Sequence, residues 1–274
     1  MQLFYREKGN PDNPPLILLH GLWGASDNWL TVAGLLADYF HVILPDFRNH
    51  GHSPHSPEHS YEDLSRDLST FITSLHLPRK PFIAGHSMGG KALMLLLLKK
   101  PQIAAKAAIL DIAPKPYLSF PHSIHQDLLE TMTNISPGFY QHREEIHTAI
   151  RQKLPSEELC QIVFKNLDKT STGFRWKINT EAIQKNNQDI LDWPVSYNRQ
   201  NYPFPILFIR GENSEYITGH DLSSISNLFP AAEIRTLPGA SHFLHRDQPE
   251  LLAQTLIHYF LSLPGNSILS EIFL

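Results

Sequence analysis

Residues 81–90 read PFIAGHSMGG, and this stretch guides the interpretation of the whole chain. PFIA is a short apolar run typical of a buried strand, and KALMLLLL, which follows Gly90, is typical of a buried helix. The turn between them matches the pattern G-x-S-x-G, with Ser87 at its centre. The pattern alone is weak, because a plain turn also favours small residues. Its strand–turn–helix context is what predicts a tight elbow that presents Ser87 as a nucleophile.

Five more apolar segments have the length of strands and alternate with amphipathic helical segments. Most of them are continuously apolar, which indicates parallel strands that are covered on both faces. The alternation predicts an α/β fold with a mostly parallel, doubly wound sheet. With the strand before Ser87, the predicted strands are LILLH (16–20), HVILPD (41–46), PFIAGH (81–86), AAILDI (107–112), PILFIRG (205–211) and AEIRTLPG (232–239).

The alternation stops between residues 115 and 201, where helical segments and the aromatic stretch FRWKIN replace buried strands. We interpret 115–201 as a mainly helical cap over the ends of the strands. Residues 1–114 and 202–274 then form the core domain. The apolar tail after Pro264 has no predicted role.

Composition narrows the class of protein. The chain has 274 residues, 42% of them hydrophobic and 18% charged, and a net charge of −4, with no basic block. We therefore expect no nucleic-acid partner. The one cysteine, Cys160, excludes an internal disulfide and the usual cysteine-based zinc sites. No secretory signal or bilayer-length apolar run is visible, so the expected location is the cytoplasm. No sequence stripe predicts an oligomeric state.

The loops that follow the predicted strands carry polar residues suited to catalysis. In an open parallel sheet, ligands bind at the carboxyl ends of the strands, so these loops should converge on one crevice. Together they bring Ser87, Asp111 and His242 towards the same place. The loops read HGLWG, DFRNHGHS, GHSMGG, DIAP, GENSEY and PGASHFLH.

A serine nucleophile needs a base, because its hydroxyl is barely nucleophilic at neutral pH. His242, on a loop of small residues after the last strand, is the predicted general base. His245, three residues further on, is the alternative. His86 precedes the nucleophile and is expected to point away from it, while His20 is expected to order the loop after the first core strand.

An ester-cleaving serine also needs backbone N–H donors for the developing oxyanion. Met88, directly after the nucleophile, offers one donor at the start of a helix. Leu22 offers the second, because Gly21 lets its loop approach closely. The alternative for HGLWG is a simple turn.

Several stretches together resemble the α/β-hydrolase fold family, and within it the small cytoplasmic serine esterases. They are HGLWGASDNW, PDFRNHGHSP, GHSMGGKALM, LDIAP, FRWKIN, RGENSEYI and GASHFLH, spread over positions 20 to 245. The resemblance implies a carboxylesterase that needs no cofactor and no metal, with a helical cap. Serine at position 87, rather than aspartate, argues against the dehalogenases and epoxide hydrolases of this architecture.

One departure from the family pattern concerns the catalytic acid. Many members carry it in a G-x-x-D turn, but the corresponding turn here is Gly211-Glu212-Asn213-Ser214. Asp111, at the end of the preceding core strand, is the best substitute. Glu212 and Glu215 remain alternatives.

The expected pocket walls are Trp23, Phe243 and Trp176. Packing under the cap is an equally good role for Trp23 and for Trp29, and the cap core is the alternative for Trp176. Lys91, one turn into the elbow helix, is expected to be solvated or paired with a neighbouring helix.

The predicted function is hydrolysis of a small-molecule carboxylic ester or acyl thioester through an acyl-enzyme. A C–C bond hydrolase acting on a diketone-type substrate uses the same triad and remains open. A non-catalytic ligand-binding member of the fold is the alternative from a different functional class.

Overall fold

The computed structural model describes residues 1–118, 124–154, 156–194, 197 and 201–262, and the apolar tail after Pro264 lies outside them. Within these residues, seven strands form one sheet in the order β1-β3-β2-β4-β5-β8-β9, and β6 and β7 form a separate hairpin. β1 is antiparallel to β3, and the other neighbours in the large sheet are parallel. The strands are β1 Tyr5–Lys8, β2 Pro15–Leu19, β3 His41–Pro45, β4 Phe82–His86, β5 Lys106–Leu110, β6 Leu167–Thr170, β7 Gly173–Trp176, β8 Ile206–Gly211 and β9 Ala232–Leu237.

Helices flank the sheet, and several more lie in the segment between β5 and β8. None of the helices in the described part of the chain is long and apolar enough to cross a membrane. The helices are α1 Leu30–Leu36, α2 Tyr61–Ser74, α3 Met88–Lys99, α4 Ile124–Asn134, α5 Arg143–Arg151, α6 Glu157–Lys165, α7 Thr180–Lys185, α8 Asn187–Leu191, α9 Leu222–Leu228, α10 Leu244–Asp247 and α11 Pro249–Leu261.

Both faces of the sheet are buried, as the continuously apolar strands predicted. Successive side chains of a strand point to opposite faces. Accordingly Ile17 and Leu19 of β2 belong to one apolar cluster, with residues of α2 and α3, while Leu16 and Leu18 belong to another, with residues of α1 and α11. The six predicted strands and the α/β class are therefore confirmed.

The segment between β5 and β8 differs from the prediction in one respect. It holds α4 to α8, as expected for a mainly helical cap, but it also holds the β6–β7 hairpin, in which Leu167 pairs with Trp176. We call the described residues between β5 and β8 the cap segment. Its apolar residues form a third cluster, and Trp23 from the core joins that cluster. The cap segment is therefore packed against the loop that follows β2.

Candidate active site

Ser87 lies in a tight turn between β4 and α3. Its backbone is at φ +52° and ψ −119°, a conformation that L-residues rarely adopt. The Ser87 N–H donates to the carbonyl of Leu110 at the end of β5 (3.0 Å). A Cβ at Gly89 would lie 2.6 Å from the His20 carbonyl oxygen, and one at Gly85 would lie 2.6 Å from the Gly89 carbonyl oxygen. The flanking glycines are therefore required by close packing around the serine.

His242, on the loop after β9, is the histidine that reaches Ser87. Its Nε2 lies 3.1 Å from Ser87 Oγ. The backbone of this loop is held by His86, whose Nε2 donates to the His242 carbonyl (2.7 Å). Burial, followed by the nearby His242, holds the pKa of His86 well below its usual value, so its ring is neutral. Tyr216 stacks on the His242 ring with 3.6 Å between centroids.

Asp111 is the carboxylate that contacts His242. Its Oδ2 lies 2.8 Å from His242 Nδ1 and also accepts a hydrogen bond from Ser214 Oγ, while Oδ1 accepts the Gly211 N–H (2.9 Å). Asp111 is fully buried, at φ +51°. The serine that replaces aspartate in the β8 turn thus supports a carboxylate from the neighbouring strand.

The alternative acids lie elsewhere. The Glu212 carboxylate is exposed and accepts the Gly239 N–H (2.8 Å), and Glu215 is exposed as well. Within the described residues, neither makes a hydrogen bond or ion pair with His242. Geometry therefore favours Asp111 over both glutamates.

The loop after β2 comes close to the elbow, as its glycine suggested. A Cβ at Gly21 would lie 3.1 Å from Ser87 Cβ. His20 holds this loop, because its Nδ1 donates to the Gly21 carbonyl (2.8 Å) and its Nε2 accepts the Phe47 N–H (2.9 Å). Within the described residues, no protein acceptor is recorded for the N–H of Leu22 or of Met88. Both amides remain available to a ligand.

A cavity of about 230 Å³ opens beside Ser87. Ser87, His242, Leu22, Trp23 and Phe243 all line it.

Trp176 does not line this cavity. Its Nε1 donates to the carbonyls of Met132 (2.9 Å) and Ile135 (3.0 Å) inside the cap segment. The indole packs against the apolar cluster of the cap segment, which corrects the expected pocket role. The stretch FRWKIN does not indicate by itself whether its tryptophan lines the cavity or packs inside the cap segment.

His245, the alternative base, also lines the cavity but faces other rings. Its ring centroid lies 5.0 Å from that of Trp29 and 5.1 Å from that of His86. Burial lowers the pKa of His245 to about 3. Among the described residues, its Nδ1 has no hydrogen-bond partner. His245 is therefore a wall residue rather than the partner of Ser87.

His125 links the cap segment to the catalytic region, and sequence inspection did not single it out. The Trp23 Nε1–H donates to His125 Nδ1 (2.9 Å), so His125 carries its proton on Nε2, 3.1 Å from the Tyr216 hydroxyl. Burial lowers the pKa of His125 to about 3, which keeps this tautomer neutral. One α4 side chain therefore joins the loop after β2 to the tyrosine that stacks on His242.

Of the two expectations for Lys91, the structure shows pairing with a neighbouring helix rather than a solvated side chain. It is 1% exposed, and its Nζ donates to the carbonyls of Asp192 (2.7 Å) and Leu191 (3.4 Å) at the end of α8. The ammonium also lies over the rings of Tyr61 (5.3 Å) and Tyr117 (4.8 Å). Burial lowers its pKa to about 7. Lys91 thus fastens the end of the cap segment to the elbow helix.

Comparisons with known proteins identify the family. Residues 14–249 match the α/β-hydrolase fold family. The solved structure of a marine microorganism esterase is 38% identical, with a TM-score of 0.89 over 94% of this chain and 99% of that chain. The sn-1-specific diacylglycerol lipase ABHD11 of Danio rerio is 33% identical over 247 residues, which are 88% of this chain and 76% of that protein. Esterase YbfF of Escherichia coli strain K12 is 29% identical over 248 residues, which are 90% of this chain and 93% of that protein. The chain belongs to the α/β-hydrolase fold family, among its enzymes of the esterase and lipase type.

Proposed function

We propose that this hydrolase cleaves carboxylic esters or acyl thioesters through an acyl-enzyme formed on Ser87. The observation that carries the proposal is the unbroken contact from Ser87 Oγ to His242 Nε2 (3.1 Å) and from His242 Nδ1 to Asp111 Oδ2 (2.8 Å). Ser87, the first of these three hydrogen-bonded residues, lines a cavity. This is the arrangement that activates a serine.

In the proposed reaction, Ser87 Oγ attacks the substrate carbonyl carbon while His242 Nε2 takes the hydroxyl proton. Collapse of the tetrahedral intermediate breaks the bond to the alcohol or thiol, which leaves with that proton from His242. A water molecule then attacks the acyl-enzyme, with His242 again taking and returning one proton. The products are the free acid and the regenerated serine.

Asp111 accepts the His242 Nδ1–H and stabilises the imidazolium that forms in each half-reaction. Its carboxylate also accepts hydrogen bonds from the Gly211 N–H and the Ser214 hydroxyl. These two donors also orient the carboxylate towards the histidine.

The N–H groups of Leu22 and Met88 are the proposed oxyanion donors. Met88 is the first residue of α3, where backbone amides have no partner within the helix. Each such donor is typically worth about 3 kcal/mol in the transition state. The close approach of the Gly21 loop to Ser87 supports a shared role for the two amides.

Hydrolysis of p-nitrophenyl butyrate by the wild type and by Ser87→Ala tests the proposal. We expect kcat to fall by about 10⁴-fold or more in the variant, because only the nucleophile is removed. Circular dichroism of both proteins controls for folding. Butyryl thiocholine, assayed in parallel, measures the thioester activity.

Labelling of the wild type with a fluorophosphonate, added to these assays, separates the alternatives. A wild type that reacts with a fluorophosphonate but hydrolyses no ester would point to C–C bond cleavage of a diketone-type substrate. A wild type with neither reaction would favour ligand binding without turnover. Equal ester hydrolysis by Ser87→Ala would refute the serine mechanism.

A further inference from the structure

Two polar atoms in the cavity wall have no partner among the described residues. They are the indole Nε1 of Trp29 and the imidazole Nδ1 of His245, and both atoms are shielded from solvent. Both residues line the cavity that contains Ser87, and Trp29 is only 1% exposed. Their ring centroids lie 5.0 Å apart, so the two atoms belong to one part of the wall.

Unpartnered polar atoms of this kind are unusual in native proteins. A buried N–H that gives up its hydrogen bond to water and finds no replacement destabilises the fold, and nearly all such groups have a partner. Phenylalanine at position 29 would pack as an apolar wall without this cost. The presence of tryptophan at this position is explained if its N–H donates a hydrogen bond to a ligand group that enters the cavity.

The character of the two atoms indicates which group fits. The indole nitrogen only donates, whereas a neutral imidazole nitrogen accepts or donates according to its tautomer. Burial lowers the pKa of His245 to about 3 and keeps it neutral. A hydroxyl can accept from Trp29 and can either donate to or accept from His245, so it satisfies both tautomers.

The charged side chains that line the cavity are of both signs, because Lys165 and Arg246 are accompanied by Asp27 and Glu158. Arg246, next to His245, pairs with Glu158 of α6 (2.8 Å) and with Asp247 (2.9 Å). These carboxylates neutralise its guanidinium at the cavity edge. A neutral polar group therefore suits this part of the wall better than a carboxylate or a phosphate.

The place is also within reach of the reaction. The His245 ring lies 5.1 Å from that of His86, which in turn lies 4.7 Å from that of His242. His86 directly precedes Ser87 in the elbow. Ser87, Trp29 and His245 line the same cavity, so a substrate bound at Ser87 can extend towards Trp29.

We propose that Trp29 and His245 form a polar subsite that binds a hydroxyl group of the substrate, a few bonds from the ester carbonyl. This inference rests on the proposed esterase function and narrows its substrate class to hydroxylated esters. The hydroxyl belongs either to the acyl half or to the alcohol half of the ester. Trp29 and His245 would bind it in the same way in both cases.

Matched ester pairs test the subsite. For the acyl half, p-nitrophenyl 3-hydroxybutyrate is compared with the butyrate, and 6-hydroxyhexanoate with the hexanoate. For the alcohol half, glycerol monobutyrate is compared with propyl butyrate. We expect kcat/KM to be about 10-fold higher for the hydroxylated member of at least one pair, and that pair identifies the half that carries the hydroxyl.

Three variants assign that preference. Trp29→Phe keeps a ring but removes the N–H, and His245→Phe removes the ring nitrogens, so each should bring the ratio within a pair to about one. Trp176→Phe is the matched control, because it removes an indole N–H that is bonded inside the cap segment, and the ratio should persist. Having two subsite variants allows the test to proceed if one fails to fold.

The outcomes separate the subsite from the proposed function. Equal rates within every pair, or a preference retained in both subsite variants, would overturn the subsite and leave the two atoms bound to water only. An inactive wild type on all of these esters would overturn the esterase proposal itself.

Discussion

Three non-glycine residues at the site have positive φ: Ser87 (+52°), Asp111 (+51°) and Trp23 (+67°). Each such conformation costs on the order of 1–3 kcal/mol and persists only where surrounding contacts enforce it. Here, backbone bonds hold two of them, since Ser87 N–H donates to Leu110 and Asp111 N–H donates to Ile209. Two of these residues, Trp23 and Ser87, line the cavity, and the third, Asp111, contacts the catalytic histidine.

Asp111→Asn tests the acid at the residue scale. An amide can present an N–H to His242 Nδ1 and favour the wrong tautomer, so we expect kcat on p-nitrophenyl butyrate to fall by about 10⁴-fold. Glu212→Gln is the control, because among the described residues that carboxylate bonds the Gly239 N–H and not His242, and it should keep nearly full activity. Near wild-type turnover by Asp111→Asn would rule out its proposed role.

Residues differ in how far their roles could be predicted from sequence. Ser87 is recognisable because its elbow is a local pattern of glycines between a strand and a helix. Asp111 could be nominated because it ends a strand. His125 could not, because its two partners lie 102 and 91 residues away and no local pattern encodes those contacts.

At the scale of elements, α4 contacts the catalytic region through a polar bridge. Its His125 connects Trp23 on the loop after β2 with Tyr216 after β8, and Tyr216 stacks on His242. We therefore regard His125 as a positioning residue for the base. It makes no recorded hydrogen bond to Ser87 within the described residues.

Replacing His125 should separate this role from simple packing. His125→Phe keeps the bulk but loses both bonds, and we expect kcat to fall by about 10-fold, with a smaller change in KM. His125→Gln should recover much of that loss, because its amide can accept from Trp23 and donate to Tyr216. Equal kcat for the wild type and His125→Phe, or an effect confined to KM, would contradict a positioning role.

The strands missed at the sequence level share a physical cause. β1 (YREK) is exposed throughout, and β6 (LDKT) and β7 (GFRW) are four-residue strands with mixed burial. Such short edge or ribbon strands have no continuous apolar run and are too short to show a clear alternation of apolar and polar residues. Neither sequence signal of a strand is therefore visible in them. The buried strands were predictable because they are apolar on both faces.

At the scale of the whole molecule, Lys91 joins the core to the cap segment. Its ammonium lies at the carboxyl end of α8, where helix carbonyls lack partners and favour a cation. This attachment requires burying an ionisable group against Tyr61 and Tyr117. The opposing effects make the stability of the fold depend on pH.

We expect the free energy of unfolding to rise between pH 7 and pH 9. Burial lowers the pKa of Lys91 from 10.5 in the unfolded chain to about 7, so over this range the unfolded state binds more protons. Stability then increases with pH, by on the order of 2 kcal/mol across the two units. Urea unfolding at several pH values measures the change.

Two variants assign that dependence. Lys91→Met removes the titrating group and should flatten the pH dependence, whereas Lys153→Met, at an exposed position, should leave it unchanged. A wild-type slope that survives in Lys91→Met would show that another group is responsible.

The sequence by itself determined the α/β class, the buried strands, the elbow at Ser87 and the loops that carry His242 and Asp111, because each depends on local pattern and chain order. Only the tertiary structure placed Asp111 rather than Glu212 or Glu215 against His242, packed Trp176 inside the cap segment, buried Lys91 and showed the His125 bridge. Those outcomes depend on contacts between segments far apart in the chain, and packing rather than local pattern selects them.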